Sequence, residues 1–411
     1  MKRQKMQVLA AGAVALSLVV AACGSDDNSS SEPDATDTGS ETTEAGSETT
    51  EAGSETTDAG GEMADCETVD EVSLQLQWVT QAQFAGYFAA QDKGFYEAMC
   101  LDVTIVEGGV EIVPQTQLAN GDVDFALAWV PKALASREAG ADIVNIAQIY
   151  QRSGTLQVSF ADKGITSPAD FAGKKIGNWG FGNEYEVFAA LAEAGLDPAT
   201  DVELIGQQFD MVALLDGDID AAEAMTYNEY AQVLEAENPD TGELYQPEDF
   251  NVISYEEIGV GMLQDAIWAD AARLESDAAY KDQATRFVAA SMEGWAYCRD
   301  NAEECRDIVV AAGSTLGASH QLWQMNEVNR LIWPSADGIG YINEEAWNRT
   351  AEISLSTPNL EGATVITEAP SDGAYTNEIV EAAWALLDSM GLDLFGADFT
   401  PIEVELQPGG E

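Results

Sequence analysis

Positively charged residues are scarce in this chain. Its 411 residues include 17 Lys and Arg against 73 Asp and Glu, which gives a formal net charge of −56 at pH 7. Because such an excess repels phosphate groups, nucleic acid is not expected among the partners. The acidity favours solubility and opposes compaction through self-repulsion, and it carries no information about a ligand.

Residues that usually form metal sites or perform acid–base chemistry are also few. Histidine occurs once, as His320, and none of the five cysteines belongs to a CxxC pair. No nucleophile elbow occurs, so acid–base chemistry is left to carboxylates, which are found throughout and mark no particular site. The sequence therefore predicts no catalytic residue, no metal site and no cofactor. His320 is interpreted as a helix-surface or packed residue.

The first 22 residues have the pattern of a secretory signal. Lys2, Arg3 and Lys5 precede an apolar run over residues 8–22, which is short for a membrane span and ends in small residues. The segment "VVAAC" resembles a bacterial lipobox, which implies cleavage before Cys23 and lipid attachment to its thiol. We therefore expect a lipid-anchored protein on the extracytoplasmic face of the cell membrane. The alternative is an ordinary signal peptide with an incidental cysteine.

Residues 23–65 are predicted to form a disordered acidic linker behind that anchor. Residues 24–65 contain no Lys or Arg, and "GSETTEA" begins at Gly39 and Gly46, with the near copy "GSETTDA" at Gly53. A segment with so little apolar surface cannot bury a core, and its like charges repel one another. The expected role is that of a tether.

Four further cysteines belong to the exported part of the chain, where disulfide bonds are plausible. Of the three possible pairings we favour Cys66 with Cys100 and Cys298 with Cys305. The first two cysteines precede strands that are expected to be neighbours, and only "RDNAEE" separates the other two.

After Cys66 short β-branched runs alternate with helical stretches, which predicts a largely parallel sheet with helices on its faces. "LANGDVDFA", from Leu118, is echoed by "LLDGDIDAA", from Leu214. The distance between the copies favours two similarly wound lobes, although a chance similarity remains an alternative. We place lobe 1 at residues 66–156 and lobe 2 at 157–251. Residues 252–411 return to lobe 1 and form a helical tail.

Amides and aromatics crowd several predicted strand-to-helix corners. They occur in "QWVTQAQFAGYFAAQDKGFYE" (residues 77–97), in the glycine-rich "GNWGFGNEYE" (177–186) and in "MTYNEY" (225–230). Ligands of open α/β sheets usually lie beyond the carboxyl ends of strands, so these corners predict one cleft. The glycine-rich segment has neither a phosphate-loop ending nor GxGxxG spacing. The simpler alternatives are a helix core face, a tight turn and a solvated helix cap, respectively.

With these segments, "SPADFAGKKIG" and both echoes, residues 72–251 resemble the solute-binding proteins of ABC importers in the thiamine pyrimidine synthase-like group. The resemblance implies an α/β, two-lobed type II periplasmic-binding-protein fold, a membrane permease as partner and a monomeric state. It also implies a small aromatic heterocycle as ligand, either a pyrimidine precursor of thiamine or riboflavin.

The same resemblance implies a set of ligand-binding residues contributed by both lobes. They are Trp78, Gln81, Gln83, Phe84, Trp129, Arg152, Phe181, Asn183, Tyr227, Asn228 and Glu229. One alternative is the thiamine pyrimidine synthase itself, which shares the fold and uses pyridoxal phosphate, an active-site histidine and clustered cysteines. Another is a sulfonate- or nitrate-binding protein, for which Arg152 is the basic residue near the expected cleft.

Overall fold

The computed structural model of the chain describes residues 66–180 and 182–411. The expected signal peptide (1–22), the lipidation site Cys23, the linker (23–65) and the candidate ligand residue Phe181 lie outside the described residues.

Strands and helices alternate over the first half of the described chain, and helices dominate the rest. The strands are β1 (Asp70–Gln75), β2 (Leu101–Val106), β3 (Phe125–Trp129), β4 (Ile143–Gln148), β5 (Thr155–Phe160), β6 (Lys175–Asn178), β7 (Glu203–Gly206), β8 (Ala222–Met225), β9 (Phe250–Ser254) and β10 (Asp265–Asp270). The helices are α1 (Ala85–Asp92), α2 (Phe95–Ala98), α3 (Pro114–Asn120), α4 (Val130–Glu138), α5 (Tyr185–Glu193), α6 (Val212–Leu215), α7 (Glu229–Leu234), α8 (Ala271–Ser276), α9 (Ala278–Asp300), α10 (Ala302–Ala311), α11 (Ala318–Ile332), α12 (Glu344–Ser356) and α13 (Glu378–Leu387).

Lobe 1 is built on a five-stranded sheet with the order β2-β1-β3-β10-β4. Strand β1 pairs in parallel with β2 and β3, as the alternation of elements predicts. Strand β10 is antiparallel to both β3 and β4, so the sheet is mixed. It arrives from lobe 2 and inserts between strands formed earlier in the chain, a crossing that periodicity does not reveal.

Lobe 2 contains a three-stranded sheet, β8-β5-β9, and the parallel pair β6-β7. Strand β5 runs antiparallel to both of its neighbours, which differs from the largely parallel arrangement expected. Both predicted lobe boundaries fall within strands. The boundary at 156/157 falls inside β5 and that at 251/252 falls inside β9, because the hydrogen-bonded ladder between these strands continues through both points.

The two sequence echoes have the same local structure. Helix α3 ends at Gly121, whose φ of 76° is left-handed, and β3 follows; α6 is followed by Gly217, with φ 77°, and then by β8. Glycine has no Cβ and adopts this conformation without steric cost, which explains its place in both copies. The echo therefore marks equivalent helix-to-strand corners in the two lobes.

The helical tail packs onto lobe 1 through a close contact between α9 and α1. A Cβ atom on Gly294 of α9 would lie 2.0 Å from the carbonyl oxygen of Gly86 in α1, so only glycine permits this approach. None of the helices in the described part of the chain combines the length and the apolar composition needed to cross a bilayer.

Both favoured cysteine pairs are disulfide-bonded in the structure. Cys66 and Cys100 lie on the amino-terminal side of β1 and β2, which are neighbours, and their Cα atoms are 5.7 Å apart. Cys298 in α9 and Cys305 in α10 have Cα atoms 5.5 Å apart. The two bridges thus join the start of the sheet and two consecutive helices of the tail.

Candidate functional site

A cleft of about 660 Å³ opens where the carboxyl ends of strands from both lobes face each other. Its lobe 1 wall comes from the segments that follow β1, β2 and β3, and its lobe 2 wall from those that follow β6, β7 and β8. This is the position at which open α/β sheets usually bind ligands.

The lobe 1 wall is organised around one buried carboxyl, that of Asp265 at the start of β10. Nε2 of Gln83 donates to its Oδ2 at 3.1 Å, and Nε1 of Trp129 donates to the same oxygen at 3.2 Å. Gln77 donates to Oδ1, and Gln81 in turn donates to Oε1 of Gln83 at 2.7 Å. Asp265 therefore fixes the orientation of side chains that face the cleft.

Burial raises the pKa of the Asp265 carboxyl to about 7, against the lowering effect of the hydrogen bonds from Gln83, Trp129 and Gln77. Burial has this effect because it removes water that would stabilise the charged form. Near neutral pH both the charged and the neutral form of this carboxyl are therefore populated.

The lobe 2 wall carries a second buried acid, Glu229, at the start of α7. Its Oε2 accepts from the backbone N–H of Met225 at 2.9 Å, and its Oε1 accepts from Nδ2 of Asn228 at 2.8 Å. Burial raises the pKa of this carboxyl above its usual value, while these hydrogen bonds act in the opposite direction. Glu229 is 3% exposed and Asn228 forms no side-chain helix cap, so the alternative of a solvated helix start does not describe this corner.

Trp179, directly after β6, brings a buried donor to the same wall. Its backbone N–H donates to Oε2 of Glu223 at 2.8 Å, whereas its indole Nε1–H has no acceptor among the described residues. Burial holds the pKa of Glu223 well above its usual range. A buried donor left without an acceptor costs free energy.

Aromatic rings of the two lobes meet across the cleft. The ring of Trp78 in lobe 1 lies 4.9 Å from that of Phe209 in lobe 2, at an interplanar angle of 57°. Phe209 also stacks on Trp179, with ring centroids 6.1 Å apart and planes at 25°. These rings form an apolar surface on which a flat ligand can stack.

The cation of the cleft is Lys132, near the start of α4. Its Nζ lies 5.1 Å from the centre of the Trp129 ring, and no acid of the described residues is within ion-pair distance. Burial lowers its pKa, and the negative charges of Glu223, Glu184 and Asp265 oppose this effect. A Cβ atom on Gly182 would lie 3.8 Å from Cγ of Lys132, so the lysine reaches across to lobe 2.

Most of the predicted ligand residues for which the structure gives a position surround this cleft. They are Trp78, Gln81, Gln83, Trp129, Asn183, Tyr227, Asn228 and Glu229. Phe84 does not line it; the side chain is fully buried in the lobe 1 core, on the helix face that points into the protein. Arg152 does not line it either, because its guanidinium donates to backbone carbonyls of the 330–334 segment, among them Pro334 at 2.6 Å.

Four residues important to the cleft were missed from sequence. Lys132 and Asp265 stand next to the ends of β3 and β10, and Trp179 follows β6 within the quoted glycine-rich segment. The rule that ligands lie beyond the carboxyl ends of strands would have found Lys132 and Trp179, whereas Asp265 lies at the amino end of β10, which runs antiparallel to β3. Phe209 follows β7, a strand that the sequence pattern does not indicate.

The cleft can therefore enclose a flat, polar small molecule. Aromatic rings supply stacking surface, the amides of Gln81, Gln83 and Asn228 supply donors and acceptors, and Glu229 can accept or donate a hydrogen bond according to its protonation. No cluster of metal ligands is present in residues 66–180 and 182–411.

Two lobes with a polar, aromatic cleft between them define the architecture of periplasmic solute-binding proteins. The chain belongs to the NMT1/THI5 like family, which matches residues 81–305. In fold it is similar to the periplasmic aliphatic sulphonate binding protein SsuA from Escherichia coli, with a TM-score of 0.52 and 16% identity over 82% of this chain and 94% of that one.

Two curated relatives cover most of their own length in the comparison. The formylaminopyrimidine-binding protein of Halalkalibacterium halodurans is 23% identical over 252 residues, which is 60% of this chain and 72% of that protein. The riboflavin-binding protein RibY of Chloroflexus aurantiacus is 25% identical over 325 residues, 76% of this chain and 87% of that protein.

Proposed function

We propose that this chain captures a small aromatic heterocycle, a pyrimidine precursor of thiamine or riboflavin, outside the cytoplasm and presents it to the permease of an ABC importer. The observation that carries the proposal is the meeting of Trp78 and Phe209 across the cleft, beside the buried carboxyls of Asp265 and Glu229. The names of the pyrimidine- and riboflavin-binding relatives support the same ligand class.

The polar groups of the cleft suit a heterocycle better than a plain hydrocarbon. The indole N–H of Trp179 requires an acceptor, such as a ring nitrogen or carbonyl oxygen, and a buried group left unpaired costs about 1–3 kcal/mol. Glu229 and the nearby amides offer acceptors to an exocyclic amine or a ring N–H. A ligand that carries both kinds of group satisfies both residues of the lobe 2 wall.

The positions of the groups that such chemistry would use favour a binding role over the synthase reaction. His320 does not line the cleft, and both of its ring nitrogens are hydrogen-bonded to protein side chains. Each cysteine of the described residues belongs to a disulfide bond. We therefore assign the cleft to capture and release.

A sulfonate or nitrate ligand is the second candidate, and Lys132 is the observation that favours it. The residue first considered for an anion, Arg152, is occupied by backbone carbonyls, so Lys132 replaces it as the cationic group of that hypothesis. However, Glu223, Glu184 and Asp265 all act on Lys132, and those of them that are ionised oppose the entry of a small anion. The heterocycle remains the better match.

The ligand class is tested by calorimetry with riboflavin, hydroxymethylpyrimidine, taurine and nitrate. Stacking contributes about 0.5–1.5 kcal/mol beyond area burial, and a hydrogen bond to a charged group about 1.5–3 kcal/mol. Trp78→Ala and Glu229→Gln are therefore each expected to weaken binding of the heterocycle about tenfold.

Trp384→Ala is the matched control, because Trp384 is half-buried, stacks on Tyr341 and does not line the cleft. Its affinity for the heterocycle should equal that of the wild type, and circular dichroism verifies that all variants fold. Tight binding that neither cleft substitution weakens would refute the placement of the site. Binding of taurine or nitrate, without binding of a heterocycle, would show that the ligand is an anion. Lys132→Met would then be the variant to examine.

We also propose that the mature protein is anchored to the membrane through a lipid on Cys23. The lipobox-like "VVAAC" and the acidic segment after it support this proposal. In a bacterial host Cys23→Ser should move the protein from the membrane fraction to the soluble fraction. Retention of the variant in the detergent phase would contradict the anchor.

A further inference from the structure

The single histidine of the chain lies where the helical tail meets lobe 2. His320 is in the first turn of α11 and is 2% exposed. The same helix contacts both walls of the cleft: Oε1 of Gln321 accepts from the backbone N–H of Ala82 at 2.6 Å, and Nε1 of Trp323 donates to the carbonyl of Thr226 at 3.0 Å. Helix α11 thus bridges the two ligand-facing segments.

A continuous line of hydrogen bonds leads from His320 into the cleft. Its Nδ1 lies 2.9 Å from Oε1 of Glu235, and its Nε2 lies 2.9 Å from Oδ1 of Asn228. Nδ2 of Asn228 then donates to Oε1 of Glu229 at 2.8 Å. Asn228 and Glu229 both line the cleft, whereas His320 and Glu235 lie behind them.

This line admits two hydrogen-bonded arrangements with the same number of protons. With the Asn228 oxygen toward His320, Nε2 must carry a hydrogen, and Glu229 is a carboxylate that accepts from the amide. With the amide reversed, its NH₂ donates to a bare Nε2, and its oxygen requires a protonated Glu229 as donor. The two orientations of an amide have nearly the same shape, so packing alone does not select between them.

We propose that His320 is a positioning residue which, through the Asn228 amide, determines whether Glu229 faces the ligand as a hydrogen-bond acceptor or as a donor. This inference rests on the proposed ligand site. An exocyclic amine on the ligand selects the carboxylate together with a hydrogen on Nε2. A ligand carbonyl selects the acid together with a bare Nε2. Burial raises the pKa of Glu229 above its usual value, which favours the protonated form.

Because the chain contains one histidine, ¹⁵N-histidine labelling gives an NMR spectrum of His320 alone. Glu229→Gln removes the negative charge at the far end of the line, so the Nε2 resonance of the ligand-free protein should move toward the position of an unprotonated nitrogen. Glu327→Gln is the matched control. Glu327 is also a buried acid of this interface, but it accepts from Thr226 and is not hydrogen-bonded to Asn228, so its substitution should leave the resonance in place.

Two substitutions of the histidine separate positioning from simple packing. Gln places an amide near the position of Nε2 and keeps the contact with Asn228, whereas Asn places one near Nδ1 and keeps only the contact with Glu235. His320→Asn should therefore weaken binding of hydroxymethylpyrimidine about fivefold, the effect of one neutral hydrogen bond, while His320→Gln retains it.

Each readout has an outcome that overturns the inference. A Nε2 resonance unchanged by Glu229→Gln, or moved equally by Glu327→Gln, shows that the histidine is not coupled to the cleft. Equal loss of binding in His320→Asn and His320→Gln shows a packing role only. If neither hydroxymethylpyrimidine nor riboflavin binds, the proposed function fails, and the ligand-free spectra still decide whether the coupling exists.

Discussion

Asp265 has an environment that its position in the sequence does not indicate. It begins a strand, yet its carboxyl is buried under the lobe 1 wall and accepts hydrogen bonds from Gln77, Gln83 and Trp129. A carboxyl that accepts several hydrogen bonds fixes the orientation of the side chains that donate them. The cost of this arrangement is a buried group that resists ionisation.

That cost predicts a pH dependence of stability. The pKa of the Asp265 carboxyl is about 7 in the folded protein, against an ordinary value of 3.8 that applies to the unfolded chain. Between these two pH values the folded state therefore binds one more proton than the unfolded state. The contribution of Asp265 to the free energy of unfolding is therefore complete below about pH 4 and declines as pH rises to about 7, by at most about 4 kcal/mol. Asp265→Asn lacks this decline.

Urea unfolding of both proteins between pH 4 and 8 measures the effect. The free energy of the wild type, relative to that of Asp265→Asn, should fall across this range and level off above about pH 7. Other buried acids, such as Glu186, whose pKa burial raises to about 7, are common to both proteins and cancel in the difference. Parallel profiles would contradict the prediction.

At the scale of residues, the sequence predicts which strand-to-helix corners belong to the cleft better than it predicts the direction in which each side chain of a corner points. The corners after β1 and β8 were located correctly, but Phe84 turns into the core one residue after Gln83, which lines the cleft. Arg152 lies at the expected corner and uses its guanidinium on carbonyls of the 330–334 segment, which is distant in sequence. Such contacts depend on tertiary packing, which leaves no local signature.

At the scale of elements, the helices of the tail and the strands of lobe 1 follow from their patterns, and the order of the strands does not. In the tail the sequence pattern predicts helices near residues 284–297, 302–312, 320–332 and 343–355. The first is longer in the structure, as α9, and the others match α10, α11 and α12. The insertion of β10 between β3 and β4 depends on the return path from lobe 2. Only contacts between distant segments determine that path.

The two disulfide bonds tie together elements at very different separations along the chain, 34 residues for Cys66–Cys100 and 7 for Cys298–Cys305. In the loop-entropy description the longer loop restricts the unfolded chain more, and the difference between these two loops is about 1.4 kcal/mol. Replacing both Cys66 and Cys100 by Ala is therefore expected to lower the free energy of unfolding more through this term than the same change at Cys298 and Cys305.

Denaturant unfolding of the two double variants measures the losses. Cys298 and Cys305 are fully buried, so their replacement also removes packed sulfur atoms, and reduced wild-type protein provides the reference that separates packing from cross-linking. Mass spectrometry of the unreduced protein after periplasmic expression should find no free thiol among the four. Four free thiols would remove the basis of the comparison.

The whole molecule is dominated by like charge. With 73 acidic and 17 basic residues, repulsion between acids opposes the compact state, and salt screens it over a Debye length of about 10 Å at 0.1 M ionic strength. Surface ion pairs such as Arg286–Asp70 weaken under the same conditions, but the acids without a basic partner far outnumber them. The melting temperature should therefore rise with salt.

Scanning calorimetry in NaCl from about 0.02 to 1 M tests this expectation, since the Debye length falls to about 3 Å at the upper limit. KCl at equal ionic strength is the control, because screening does not distinguish the two cations. A melting temperature that falls with NaCl, or that rises with only one of the salts, would show that self-repulsion is not the governing effect.

The contact between Trp78 and Phe209 also has a consequence for the intrinsic tryptophan fluorescence of the protein. Trp78, Trp129 and Trp179 line the cleft, and the other six of the nine tryptophans do not. A flat ligand that binds beside these rings changes the polarity around the three indoles. A ligand that absorbs at the wavelengths of tryptophan emission also quenches their fluorescence by energy transfer. The intrinsic tryptophan fluorescence is therefore expected to report occupancy of the cleft without an attached dye.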